Sequence, residues 1–512
     1  MNYISTRGSD VRYTSAMAIK QGIAPDGGLF VPESIPAVSL EQIAALARKS
    51  YVDRAVEILA MYLTDYTPAE LREYAEAAYS EDKFGPDPAP LAQLNKYNNR
   101  EFMLELWHGP TAAFKDMALQ LLPHLMTAAI RKTGETAQVC ILTATSGDTG
   151  KAALEGFANV EGTSVVVFYP SKGVSEIQRL QMVTTEGANC HVLAVDGSFD
   201  DAQSGVKAIF SDKALAEELA QKNVLLSSAN SINWGRLVPQ IVYYFSAYAD
   251  LLAREKIELG EKLNIVVPTG NFGNILAAWY ARAMGLPINK LICASNKNKV
   301  LSDFIRNGNY DRRREFFKTN TPSMDILISS NLERLLFELT GRKAEVINGW
   351  MNRLQTEGNY TIDPATLRQL QEVFVGGFAD DFGTTKTIRE IYDRTDHLID
   401  THTAVGFNVY GRYAQRSGDN SCTVFVSTAS PFKFGAAVCD AIFGNGYSRG
   451  RSEEVLLNEL SAESGLEIPA PLRDLNLREV LHDKKIARDE MRQAVLEVLG
   501  SAGNDDEDDN QL

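Results

Sequence analysis

With 512 residues the chain is too long for one compact core, and a prior of about 150 residues per domain suggests about three lobes. Its net charge of −15 excludes a nucleic-acid binder, which needs a clustered basic face, although a local pocket in an acidic protein can still attract a small anion. Apolar residues at 45% and charged residues at 23% are ordinary for a soluble globular enzyme.

The N-terminus, MNYISTRGSDVRYTSA, has no apolar signal core, and no stretch approaches the roughly 18 uncharged apolar residues of a membrane span. A soluble, cytoplasmic protein with no membrane partner is expected. Residues 1–95 mix helical patterns (Leu40 to Tyr51, Ala69 to Tyr79) with turn-rich pieces such as GIAPDGGLFVP. From residue 96 apolar runs of strand length recur at 101–107, 139–144, 164–169, 191–195, 224–229, 264–268, 291–295 and 423–427. Most are β-branched and continuous, as in strands covered on both faces. Helical segments separate many of them, which predicts an α/β fold of doubly wound, mainly parallel sheets. Residues 300–400 read as more helical, PATLRQLQEVFVGGFADDF (364–382) among them.

Cys140, Cys190, Cys293, Cys422 and Cys439 are odd in number, scattered and without a C-x-x-C pair, so buried inert thiols are expected rather than disulfides or zinc ligands. The histidines show no ligand spacing, and no metal is expected. Asp505, Asp506, Glu507, Asp508 and Asp509 give a like-charged tail at 503–512, expected to be disordered.

Ligands of doubly wound sheets sit outside the carboxyl ends of strands, so loops that follow apolar runs are the first candidates. ATSGDTGKAA (144–153) places Ser146, Gly147, Asp148, Thr149 and Gly150 between a strand and a helix, where small residues let backbone N–H groups approach an anion. It is not a P-loop: two residues, not four, separate its glycines, and Ala152 follows Lys151. PTGNFGNILAAW (268–279) repeats the strand, glycine loop and helix, with Gly270 and Gly273 freeing the backbone. A turn without a ligand is the alternative for both loops. In ELWHGPTAAFKDMALQ (105–120), Lys115 precedes a helix that begins near Asp116. There the positive dipole end and desolvation both disfavour the ammonium, and such a lysine suits Schiff-base chemistry. A solvated surface lysine is the competing reading.

Together these segments resemble the threonine synthase family, in its long branch with an extra N-terminal domain, over nearly the whole chain except the tail. YISTRG (3–8), GIAPDGGLFVP (22–32), HGPTAAFKD (108–116), SGDTG (146–150), NSINWGRLVPQ (230–240), TGNFGN (269–274), PSMDI (322–326), DTHTAVGF (400–407) and STASPFKF (427–434) carry the resemblance in order. It implies a fold-type-II, tryptophan synthase β-like enzyme that depends on pyridoxal 5′-phosphate (PLP). The implied divisions are an N-terminal domain (1–95), a catalytic region (96–502) with a smaller lobe at about 130–245, and the tail.

By resemblance, Lys115 carries PLP and acts as general base. Gly270, Asn271, Phe272, Gly273 and Asn274 form the cofactor-phosphate loop. Thr428, with Ser427 as fallback, faces the pyridine nitrogen. Ser146, Gly147, Asp148 and Thr149 belong to the substrate loop, where many relatives have Asn at the position of Asp148. Ser430 stands where relatives often have His. Lys151, Asn233 and Arg236 are candidates for the substrate phosphate, which needs cationic or N–H partners. The implied reaction converts O-phospho-L-homoserine and water into L-threonine and phosphate, the last step of threonine biosynthesis, in a monomer or homodimer. Alternatives are a PLP-dependent lyase or dehydratase releasing 2-oxobutyrate, and a catalytically silent binding protein of the same fold.

Overall fold

The computed structural model describes residues 1–94, 100–172 and 174–501. The expected boundary at 95/96 and the acidic tail lie outside the described residues.

In the N-terminal region, Tyr3–Ser5 pairs antiparallel with Phe30–Pro32, and helices follow at Leu40–Leu46, Tyr51–Tyr62 and Pro68–Ala78. The single helical pattern expected over Leu40 to Tyr51 is in fact broken. Ser50 leaves helical geometry, and its side chain accepts the Asp53 N–H to cap a new helix. The region is docked, not separate: Tyr51–Tyr62 packs on Pro239–Ala253, where Arg54 pairs with Asp250 at 2.7 Å in a mostly buried bridge.

Two sheets form the body. The six-stranded sheet runs in the order Phe374–Phe378, Ile288–Ser295, Leu263–Pro268, Thr423–Ser427, Glu101–Glu105 and Leu91–Gln93, parallel except for the last strand. Alternate residues of its strands enter different cores. Ile265, Val267, Leu291 and Val424 pack with Ile275 and Leu276 of the helix Gly273–Met284. Val266, Ile292 and Phe425 pack with Ala404, Val405 and Phe407 of the helix Thr401–Ser417. Burial on both faces is why these strands read as unbroken apolar runs.

The five-stranded sheet is wholly parallel, in the order Lys485–Ala487, Cys190–Asp196, Thr163–Pro170, Gln138–Ala144 and Val224–Ser227. One face takes the helix Asp148–Phe157, and the other takes Phe199–Ser211 with the C-terminal helix Met491–Ser501. The chain thus returns to its smaller sheet at its C-terminal end. All five cysteines are free and buried, as expected.

One stretch corrects the sequence reading. PATLRQLQEVFVGGFADDF is a helix only over Pro364–Val373; Phe374–Phe378 is a strand pairing in parallel with Ile288–Ser295. Gly376 brings the strand close to the helix Val300–Asn307, since a Cβ there would lie 2.9 Å from the Ser302 carbonyl oxygen. Tertiary pairing overrides the helical period that leads into it. Among the described residues no helix is long and apolar enough to cross a membrane.

Candidate functional site

Four strand ends converge between the sheets. Gln138–Ala144 leads through 145–147 into the helix Asp148–Phe157, and Leu263–Pro268 leads through 269–272 into Gly273–Met284. Glu101–Glu105 runs on into the segment holding Lys115, and Thr423–Ser427 into Thr428. The last two segments are tied together, because the Phe114 N–H donates to the Thr428 carbonyl at 2.8 Å.

Lys115 immediately precedes a helix of one turn, Asp116–Leu119, and its side chain is 12% exposed. Its Nζ lies 3.2 Å from Asp148 Oδ2. Burial pushes its pKa down; Asp148 opposes that, while Lys433 and Arg236 reinforce it. Burial is thus the leading cause, where the sequence had also suggested the helix dipole. Asp116 accepts from both the N–H (2.8 Å) and the hydroxyl (2.7 Å) of Thr111, and burial raises its pKa to about 6. That pair closes the turn on which Lys115 stands.

Asp148 is the charged centre. Oδ1 faces Lys433 Nζ at 2.8 Å and accepts from Gln178 Nε2 at 2.9 Å; Oδ2 faces Lys115 and accepts from Ser323 Oγ at 3.2 Å. Burial alone would raise its pKa, but the two lysines outweigh burial and hold it well below the usual carboxylate range. The Ser323 N–H donates to His402 Nε2 at 3.2 Å, and His402 Nδ1 faces Asp400 at 3.0 Å. An N–H donor at Ser323 and a carboxylate at Asp400 together select the imidazole tautomer protonated at Nδ1.

Two adjoining cavities share Lys115, Thr149 and Asn271 in their walls. One, about 90 Å³, is bounded by the loop 270–274, Arg236, His402 and Thr428. The other, about 150 Å³, is bounded by Ser146, Asp148, Asn230 and Lys207. A larger cavity of about 1000 Å³ opens behind Trp107–Pro110 and touches neither Lys115 nor the 270–274 loop, so volume alone does not locate the chemistry.

The loop 270–274 uses its residues differently from expectation. Neither glycine is left-handed; that conformation falls to Phe272, with φ 65°, at the start of Gly273–Met284. A bulky residue there is strained, and buried Phe272 is held in place against Phe374. Gly270 is needed for close approach instead, since a Cβ would lie 2.6 Å from the Ser323 carbonyl oxygen. Asn274 Oδ1 accepts from the hydroxyls of Tyr243 and Tyr244, while its Nδ2 is buried and has no partner among the described residues.

Arg236 also has spare donors. It is 3% exposed, it donates through Nη1 to the Ala229 carbonyl, its buried Nε has no partner among the described residues, and burial lowers its pKa to about 10. A buried guanidinium and a buried amide, each with an unmatched donor and both on one cavity, have the chemistry to receive a phosphate or carboxylate.

The threonine synthase N terminus family matches residues 2–79, the pyridoxal-phosphate dependent enzyme family 83–373, and the threonine synthase C-terminal family 403–473. Threonine synthase of Pseudomonas aeruginosa is 39% identical over 446 residues, covering 87% of this chain and 91% of that protein. This chain belongs to the threonine synthase family. Human threonine synthase-like 1 is 40% identical over 436 residues, covering 83% of this chain but 57% of that protein, so the chain spans little more than half of that relative's length. The PLP-bound threonine synthase structure from Brucella melitensis superposes with a TM-score of 0.84 at 36% identity, covering 98% of this chain and 100% of that one. The fold is therefore the fold-type-II architecture expected of this family.

The structure of this threonine synthase family member brings together Lys115, Ser146, Asp148, Thr149, Arg236, Thr428 and the 270–274 loop. Gly147 is at the mouth of the same turn with φ 138°, and a Cβ there would lie 2.5 Å from Gln178. Two candidates for the substrate phosphate are committed elsewhere. Lys151 Nζ binds Glu155 (2.7 Å) and Thr185 (3.0 Å) and reaches neither cavity. Asn233 spends its amide on the Ile19 and Ser228 carbonyls and on the Gly235 N–H. Ser427, the fallback to Thr428, is occupied by Trp107 and Thr403. Ser430 caps the turn Pro431–Phe434, accepting from the Phe432 N–H, so its side chain serves the backbone.

Lys433, Gln178, Ser323 and His402 were not singled out by sequence. Three lie inside motifs that were (STASPFKF, PSMDI, DTHTAVGF), and the motif was the only available signal. Gln178, in the helix Glu176–Val183, carries none.

Proposed function

We propose that the chain is a PLP-dependent threonine synthase that converts O-phospho-L-homoserine and water into L-threonine and phosphate. The observation that carries this reading is the placement of one desolvated amine, Lys115, on the same cavity as the unmatched donors of Asn274 and Arg236. PLP fits these residues: Lys115 would hold its aldehyde carbon, the 270–274 loop its phosphate, and Thr428 its ring nitrogen.

Bound PLP supplies an electron sink that makes the protons of the substrate carbons removable. The chain's own groups then act as follows. Lys115 Nζ, neutral when it leaves Asp148, takes the protons from Cα and later from Cβ and returns them at Cγ and at Cα, while water gives its hydroxyl to Cβ and its remaining proton to the departed phosphate. Arg236, which makes no ion pair with a carboxylate among the described residues and feels Asp116 only at longer range, holds the leaving phosphate. Ser146 and Thr149, at the start of Asp148–Phe157, orient the substrate carboxylate toward backbone N–H groups. The Thr428 hydroxyl is an uncharged partner for the ring nitrogen, which restrains the sink and disfavours side reactions.

The same reading makes 1–95 an N-terminal domain on a catalytic region at 96–502. It also makes the enzyme cytoplasmic, a setting supported by five unpaired cysteines, and monomeric or homodimeric. Reconstitution with PLP, borohydride reduction and peptide mapping test the cofactor assignment. The adduct is expected on Lys115, and an adduct on any other lysine contradicts it.

A further inference from the structure

We propose that Lys433 is a positioning residue for Lys115: held between Asp148 and the Thr111 carbonyl, it keeps the buried Asp148 carboxylate compensated while the Lys115 amine is neutral or engaged elsewhere. The proposal deepens, and rests on, the reading of Lys115 as the reactive amine.

Lys433 is 1% exposed as a residue, and its side chain is wholly buried. Its Nζ lies 2.8 Å from Asp148 Oδ1 and donates to the Thr111 carbonyl at 2.9 Å. Thr111 in turn grips Asp116, the neighbour of Lys115. Lys433 thus joins the N-terminus of the helix Asp148–Phe157 to the turn that bears Lys115. It lines neither cavity, so it acts through Asp148 and not on a ligand.

Two ammonium groups compete for one buried carboxylate. Were Lys115 the only cation on Asp148, its departure or deprotonation would strand an uncompensated buried charge, which is strongly unfavourable. With Lys433 in place the carboxylate is already neutralised, and a charge on Lys115 becomes a second cation in a buried space. The other charged or titratable groups around Lys115 are Arg236 from Trp234–Leu237, Asp116 beside it in the chain, and the His402 imidazole across the cavity. Arg236 adds to the repulsion, and Asp116 is turned toward Thr111. The shifts already described agree in sign: Lys433 lowers the Lys115 pKa and Asp148 raises it.

The test reads the Lys115 amine directly. The full-length chain without added PLP is labelled competitively with 1-fluoro-2,4-dinitrobenzene across a pH series, and the Lys115 peptide is quantified. In Lys433→Met the labelling midpoint should rise by about one pH unit or more, because Asp148 is left with Lys115 alone. In Asp148→Asn it should fall by a comparable amount, and the double variant should lie between the two. Lys433→Arg, which retains the charge, should stay near wild type. These opposite signs are not produced by general loosening of the fold, which exposes Lys115 and moves every variant toward an ordinary lysine. Should Lys433→Met not fold, Lys433→Gln, which keeps a donor for the Thr111 carbonyl but not the charge, carries the test in its place. An unchanged midpoint, or one moved in the opposite direction, in either folded variant overturns the proposal. Because the label does not depend on PLP, the expected shifts with a borohydride adduct on another lysine would keep this inference and sink the cofactor assignment.

Discussion

Asn233 and Ile19 are joined by a 2.9 Å hydrogen bond from the asparagine amide to the isoleucine carbonyl, deep between the catalytic region and the helix Ser15–Gln21. The same amide donates to the Ser228 carbonyl at 3.1 Å, and its oxygen caps the helix Trp234–Leu237 by accepting the Gly235 N–H at 2.9 Å. Asn233 therefore fastens the N-terminal region to the NSINW segment, on which Arg236 is also carried. Asn233→Ala leaves several buried backbone groups unmatched and is expected to cost about 1–3 kcal/mol. Urea denaturation checks it. A raised substrate KM with unchanged stability would instead place Asn233 on the substrate.

Arg236 and Lys151 should part company in substitution. Arg236→Met removes a buried charge with no ion-pair partner among the described residues, at the cost of one bond to the Ala229 carbonyl, and should leave the ligand-free fold about as stable, while inorganic phosphate affinity and the O-phospho-L-homoserine KM worsen by about 2–5 kcal/mol. Lys151→Met breaks its bonds to Glu155 and Thr185, and should change KM by less than about twofold, because the buried Lys151 side chain reaches neither cavity. Parallel steady-state kinetics on the two variants decide it; a large KM effect of Lys151→Met would contradict this geometry.

Gly270→Ala must displace the Ser323 carbonyl, and with it the turn Pro322–Met324 that reaches both Asp148 and His402. PLP affinity measured by equilibrium dialysis should fall about tenfold or more, equivalent to about 1.4 kcal/mol. Gly273→Ala meets side chains and no backbone, with the Ser231 Cβ at 3.0 Å and Asn331 Nδ2 at 3.5 Å, and should lose less. Equal losses would mean that Ser323 yields freely.

Asp116 makes stability depend on pH with a defined sign. Its folded pKa, about 6, lies above the ordinary aspartate value, so between about pH 4 and pH 6 the folded state binds more protons than the unfolded one. Stability from this group is present in acid and lost as pH rises through that window. Asp116→Asn removes the titration, so the wild type should lose ground to the variant by roughly 2–3 kcal/mol between about pH 4 and pH 7. Urea midpoints of both proteins across that range test it; a difference independent of pH would refute the raised value.

Much of this fold is legible because parallel strands buried on both faces must be apolar without interruption. Thr423–Ser427 coincides with its apolar run, and each of the other seven runs falls on a strand with shifts of a few residues at its ends. Phe374–Phe378 was hidden by two glycines after a helical period, and Lys485–Ala487 by its three-residue length. Each returns to a sheet through long-range pairing that no local pattern encodes.

At the site, Lys115 and the glycine loops are suggested by the motifs that resemble the family and not by local physics, because the burial of Lys115 and the approach of the Ser323 carbonyl to Gly270 both come from distant parts of the chain. Lys433 and Gln178 are not legible locally either: their meaning comes from meeting Asp148 across 285 and 30 positions of chain respectively. Lys151 and Asn233 have suitable chemistry, but Glu155 and the backbone of residues 19 and 228 already occupy them.

The assignment as a synthase stands or falls on what leaves the site. The PLP-loaded chain is incubated with O-phospho-L-homoserine, and phosphate, threonine and 2-oxobutyrate are quantified together. Threonine and phosphate in nearly equal amounts, with 2-oxobutyrate a minor product, is the expected result. Phosphate accompanied mainly by 2-oxobutyrate, or no phosphate release at all from a chain that binds PLP at Lys115, would contradict it.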